Sequence, residues 1–406
     1  MDRQALLASL DEQAALDFLS KMIQHKSYSE TDGERELAKL MAEEMRAIGL
    51  ESELQDVPGG RFNAIGTLAG AGGGSSLLFN GHLDTNPVTE GWTVDPWGGL
   101  VDDKFIYGIG CSNMKAGDAA YFCALKTLMD AGVRLKGDVI LTYVVGELQG
   151  GIGTIAAIDH GVKADYFINS EPTDLQALTM HAGAFTFIIE LTGDTRHLSK
   201  REQAVDALAA ACTLVPRINA ATFNGAKSDE HLSINRAHVG VMQAGLGREM
   251  HDWRPPQVAD FVRIKGSARY APGQSEEGVL ADMRVMLDAL ETEYPGLKAK
   301  LIHEREEGRP SMGSFEVARD SRIVQVVNDA YRTVRGEDQP TGAIKPPGFY
   351  GTDAAHFHHH LGMEGVVCGP GGRYNTMPDE RVDVPEYLDM IQIYMLAILD
   401  ICEVAD

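Results

Sequence analysis

The sequence predicts an α/β fold in two parts: a layered domain whose mixed sheet is flanked by helices, and a βαββαβ module inserted into it. Three observations support this. Length comes first, because 406 residues at 44% hydrophobic and 23% charged have ordinary globular composition but are too many for one simple core. Second, up to residue 180 short apolar runs alternate with stretches of helical period, the pattern of a layered α/β domain. Third, from about Thr179 the order becomes strand, helix, strand, strand, helix, strand, after which the first pattern returns. The expected boundaries are 1–180 and 306–406 for the layered domain and 181–305 for the insertion.

Taken in order, residues 1–24 read as an amphipathic helix and 31–50 as a second. The second has Thr31 or Asp32 as cap, apolar Leu37, Leu40, Met41, Met45 and Ile48 at helical spacing, and Gly49 at its end. Segments 51–57, 63–68 and 76–80 have strand character, and 115–131 forms a helix ended by Gly132. A strand at 138–145, a helix at 153–160 ended by Gly161, and a strand at 165–169 follow, the last running into Ser170-Glu171-Pro172. The insertion places strands at 184–192, 238–244, 260–270 and 298–303, with helices at 201–214 and 276–294, which is the ferredoxin-like order. The layered domain resumes with a helix at 321–334, a short strand at 365–369 and a long closing helix at 385–404. Low complexity is confined to residues 70–76, a loop.

With 59 acidic against 36 basic residues the net charge is −23, which argues against binding to nucleic acid or anionic membranes and for a soluble protein. The five cysteines are odd in number, widely spaced and without a C-x-x-C pair, so neither a disulfide framework nor a structural zinc site is expected. The acidic residues Asp2, Asp11, Glu12 and Asp17 mark the first segment as a helix rather than a signal peptide, and no apolar run is long enough to span a bilayer. A reducing, cytoplasmic setting is the expectation.

The run Leu77-Leu78-Phe79-Asn80-Gly81-His82-Leu83-Asp84-Thr85 delivers one imidazole and, two residues later, one carboxylate to a loop. Side chains alternate along an extended chain, so His82 and Asp84 point the same way, and Asp84 is placed to orient a metal-ligating imidazole. On these residues alone, a core histidine beside a turn aspartate serves equally well. Glu147 and Glu171 also follow apolar strands, the places where open α/β sheets build their sites.

Taken together, five ordered motifs resemble the co-catalytic zinc amidohydrolases of peptidase clan MH. They are Gly81-His82-Leu83-Asp84, the Tyr107-to-Lys115 run with Asn113, Gly146-Glu147-Leu148, Ser170-Glu171-Pro172, and Cys368-Gly369-Pro370-Gly371 with Pro378-Asp379-Glu380. That family includes aminoacylases, glutamate carboxypeptidases, acetylornithine deacetylases and succinyl-diaminopimelate desuccinylases, and the likeness covers nearly the whole chain. It implies two metals sharing a bridging Asp. Carried over by position, His82 and Glu171 keep the first metal's ligands, while Asn113 stands for the bridging Asp, Leu148 for the second metal's Glu and Thr376 for its His. The three changes all remove one site, leaving one carboxylate, one imidazole and at best the carbonyl oxygen of Asn113, for metal or substrate. One loosely held divalent transition metal, zinc or manganese, is therefore expected.

The resemblance further assigns Glu147 as general base, Asp84 as orienter, and His197, in the inserted lid, as a group that reaches a partner's site across a homodimer to steady an oxyanion. Arg269 matches a binder of a substrate carboxylate, and Asp353 sits in a Gly-Thr-Asp turn open to a structural or a substrate role. Each has an ordinary alternative: a strand-end surface acid, a turn histidine, a solvated strand arginine. The histidines at 356, 358, 359 and 360 read as a solvated segment, and Cys111 as packing. The expected activity is hydrolysis of a C–N bond, as amide deacylase or aminohydrolase, in a small carboxylate-bearing substrate. Two alternatives fit the same residues: a non-catalytic homologue that binds a small acidic ligand or regulates a partner, and an aminohydrolase of activated aromatic amines of the nitroanthranilate type.

Overall fold

The computed structural model describes residues 2–251, 256–305, 308–343 and 350–405. These fall into two compact units, one formed by 2–180, 315–343 and 352–405, the other by 181–314 with 350–351. The expected return to the layered domain at 306 lies outside the described residues.

In the first unit an eight-stranded mixed sheet is built around the Leu77–His82 strand. That strand pairs in parallel with Val139–Val144 on one side and Tyr166–Asn169 on the other. Glu364–Val367 extends the parallel part, while Glu51–Val57 and Arg61–Leu68 continue the other edge antiparallel. The central strand is buried along its whole length, so its apolar run reflects helices on both faces rather than a half-solvated sheet. Ala116–Asp130 packs against the closing helix Val384–Cys402, which in turn packs on Arg322–Arg335. Small side chains at Ala116, Ala119 and Ala120 are fully buried and allow the close approach.

The second unit is a four-stranded antiparallel sheet in the spatial order Arg236–Gly245, Phe261–Tyr270, Gly183–Thr192, Lys298–Glu304. With the helices Ala207–Asn219 and Glu276–Glu293 this is the ferredoxin-like βαββαβ arrangement. Its core holds Phe187, Ile189, Leu214, Ile264, Leu287 and Leu290.

Two expectations need correction. Residues 1–24 form two helices, Arg3–Leu7 and Glu12–Ile23, because the Asp11 carboxylate accepts the Ala14 N–H and starts a new helix. The helix expected at 201–214 begins at Ala207, capped by Asp206 through the Ala209 N–H, and runs to Asn219 with Pro216 inside it. Several short strands, among them Phe105–Tyr107 pairing with Arg381–Asp383, are too short to carry a period that the sequence could show. Among the described residues no helix is long and apolar enough to cross a membrane.

Candidate metal and catalytic site

Three neighbouring parallel strands release their chemistry at the same edge. His82 ends its strand, a short 3-10 turn at Glu147–Gln149 follows Val139–Val144, and Glu171 follows Tyr166–Asn169. A polar ladder stiffens the floor: Asn169 Nδ2 donates to Asn80 Oδ1 at 2.8 Å, and Asn80 Nδ2 to Thr142 Oγ1 at 3.2 Å. The result is one cluster, among the described residues, of ligand-type side chains: His82, Glu147 and Glu171 each bring an atom within 4.8 Å of the others. His82 Nε2 lies 3.6 Å from Glu171 Oε1 and 3.0 Å from Asn113 Oδ1.

Asp84 acts differently from the expectation. The hydrogen bond that fixes the ring runs from His82 Nδ1 to the Asp84 backbone carbonyl, 2.9 Å away, while the Asp84 carboxylate is 3.7 Å from Nδ1. That bond turns Nε2 toward Glu171 and Asn113, as a ligating imidazole requires. The carboxylate instead accepts N–H groups from Gly146 at 2.8 Å and from Glu147 and Leu148 at 3.3 Å. Asp84 therefore holds the turn that presents Glu147. The strand ends at His82, so strand alternation no longer sets the direction of Asp84.

The same turn depends on glycine. Gly146 and Gly151 both have φ of +80, and a Cβ at Gly151 would sit 2.4 Å from Asp353 Oδ1 and 2.5 Å from His356 Nε2. Asp353 is 1% exposed and accepts the Thr154 hydroxyl at 2.8 Å; its place is behind the turn, as a support, rather than open to substrate. The histidine run also needs correction. It lies on the helix Ala354–Leu361, and His356 is buried with Nε2 2.9 Å from the Gly150 carbonyl, whereas His359 and His360 are exposed. Cys111 is buried, and burial drives its thiol far up, in keeping with packing.

Electrostatics decide what the cluster can hold. Burial opposes a charged His82, but Glu171, Asp84 and Glu147 outweigh it and raise the imidazole to about 10. Burial, with Asp353 and Asp84 adding to it and His82 opposing, lifts Glu171 to about 7. Glu147 keeps a partial opening to solvent, yet burial of its carboxyl and then the charge of Glu171 push it well up. Lys115 offers little relief, because burial lowers it to about 7. Asp118 Oδ2 and Asp353 Oδ1 are buried without a partner. So many carboxylates around one imidazole call for a cation. The oriented His82 imidazole and the Glu171 carboxylate, with Glu147 beside them, could hold a divalent cation.

The remaining expected residues lie in the second unit. His197 is exposed and caps a short turn, its Nδ1 accepting the Ser199 N–H at 3.2 Å. Arg269 is half-buried on the Phe261–Tyr270 strand and donates from Nη1 to Ser267 Oγ at 2.6 Å. Sequence reasoning missed the supports. Glu380 is buried, and its Oε1 accepts the Ser112 and Asn113 N–H groups at 2.9 and 3.1 Å, which fixes Asn113. Ser29 and Arg61 both donate to Gln149 Oε1, at 2.9 and 3.0 Å, and Arg61 is paired with buried Glu34. Nothing in local periodicity marks such contacts, which join residues 88 and 120 positions apart.

Comparison with known proteins identifies the family. Residues 78–400 match the profile of peptidase family M20/M25/M40. The chain is 24% identical over 399 residues to N-formyl-4-amino-5-aminomethyl-2-methylpyrimidine deformylase of Bacillus subtilis (strain 168), covering 88% of this chain and 87% of that protein. It is 31% identical over 201 residues to acetylornithine deacetylase of Proteus mirabilis (strain HI4320), 48% of this chain and 51% of that one. In fold it resembles aminopeptidase PepT from Bacillus cereus ATCC 10987, with a TM-score of 0.78 at 20% identity, covering 97% of this chain and 100% of that one. With most of its length inside the family profile and the cluster in place, the chain belongs to peptidase family M20/M25/M40 and is a metal-dependent amidohydrolase.

Proposed function

We propose that this chain hydrolyses an amide or related C–N bond in a small carboxylate-bearing substrate, with Glu147 as general base beside a single, labile divalent metal. The observation that carries the reading is the convergence of His82, Glu147 and Glu171 on one point, next to Asn113, Leu148 and Thr376, which cannot complete a second site. His82 and Glu171 would hold the metal, with Asn113 Oδ1 as a neutral neighbour. Zinc or manganese there supplies Lewis acidity toward the scissile carbonyl and toward water. Glu147 takes the proton from the attacking water as the new C–O bond forms, then passes it to the departing nitrogen as the C–N bond breaks. Its raised proton affinity suits both halves of that task. Asp84 keeps the carboxylate in place by holding the amides of its turn.

Two relatives cleave a formyl or acetyl group from nitrogen according to their names, which supports deacylation. In the second unit Arg269 is suited to a substrate carboxylate and His197 to an oxyanion in the partner of a homodimer. Five free cysteines support a cytoplasmic location.

The test is turnover of N-formyl and N-acetyl amino compounds by the zinc- or manganese-loaded protein. Glu147→Gln should lower it by about two to four orders of magnitude, with metal content and melting temperature unchanged. Near-normal turnover in that variant would refute the mechanism.

A further inference from the structure

Beside Asn113 the first unit carries a cavity of about 390 Å³, ample room for a substituted ring. Its walls include Trp92, Val88, Ile109 and Met377, with Asn113 and Thr376 supplying an amide and a hydroxyl. None of the described residues lining it is Lys, Arg or His. The one acid, Glu380, is 3% exposed, and its Oε1 already accepts two backbone N–H groups beneath Asn113. Trp92 contributes an indole ring to the wall. Thr376 is held at φ 55, a left-handed conformation that a β-branched residue adopts only when its surroundings impose it, so this wall is fixed in place. Asn113 joins the cavity to the metal ligands through its 3.0 Å contact with His82 Nε2.

We propose that this cavity is a binding subsite for an uncharged aromatic or heteroaromatic ring carried next to the scissile C–N bond. A charged group entering here would lose its hydration against apolar walls and meet no free counter-charge. A flat ring gains contact area from Trp92 and a polarisable neighbour in Met377. Which part of a substrate enters rests on the C–N hydrolase reading; the binding of a ring does not.

The experiment is calorimetric titration of the zinc-loaded Glu147→Gln variant with three probes: benzamide, its charged isostere benzamidine, and hexanamide. Benzamide should bind about tenfold tighter than benzamidine and hexanamide. Met377→Glu, at a position 42% exposed and so tolerant of change, should weaken benzamide by about tenfold. No measurable benzamide binding, equal binding of benzamidine or hexanamide, or indifference to Met377→Glu would overturn the proposal. Ring binding without turnover of ring-bearing amides by the unmodified enzyme would count against the hydrolase reading instead.

Discussion

Metal affinity should depend steeply on pH, because the proposed ligands are proton-bound in the free protein. Glu171 is raised to about 7 and His82 to about 10. A raised proton affinity favours the protonated form, and a cation binds only the deprotonated one, so affinity rises with pH. From pH 6 to pH 8 the protonated fraction of Glu171 falls from about nine-tenths to about one-tenth, which strengthens binding about tenfold. His82 remains protonated throughout, and each pH unit relieves its competition about tenfold, or about 100-fold over the range. Together the apparent affinity should rise about 10³-fold, with about two protons released per metal at pH 6 and about one at pH 8. Competition against a chelator of known pH dependence measures the first quantity, and calorimetry in buffers of different ionisation enthalpy the second. A change smaller than tenfold, or less than half a proton released at pH 6, would show that His82 and Glu171 are not the ligands.

The supporting residues give two further tests. Glu34→Ala strands the Arg61 guanidinium, 3% exposed, without its carboxylate, and should cost about 3–5 kcal/mol in denaturant titration; a loss under about 1 kcal/mol would mean the pair behaves as a surface bridge. Asp84→Asn removes the charge that gathers the Gly146, Glu147 and Leu148 amides, so turnover or metal affinity should fall by about 10- to 100-fold with the fold intact by circular dichroism. Unchanged kinetics would remove Asp84 from the site.

Much of the fold was legible because its strands are buried on both faces and its helices are amphipathic, so Leu77–His82 and Tyr166–Asn169 stand out as apolar runs. The ferredoxin-like order was legible for a different reason: its strand-rich and helix-period segments follow one another in the βαββαβ order. The site was legible where a ligand ends a strand. It was not legible where a role is set by one turn of backbone. Asp84 is the case in point, since two residues past the strand its carbonyl rather than its carboxylate meets His82. His356 was misread as solvated because only the packing of its helix on the Gly150–Gly151 turn buries it. Trp92 lies in a loop without period, and only the folded chain brings it into one cavity wall with Asn113. Glu34 and Arg61 are 27 positions apart on a helix and a strand, and no local pattern announces a buried pair of that separation.

The central claim, one metal and a carboxylate base in place of two metals, is tested most directly by counting cations. A crystal of the protein grown with saturating zinc or manganese, read by anomalous scattering, should show one strong site per chain, touching His82 Nε2 and the Glu171 carboxylate with Glu147 beside it. Two cations about 3.5 Å apart, the second held near Asn113 and Thr376, would contradict it.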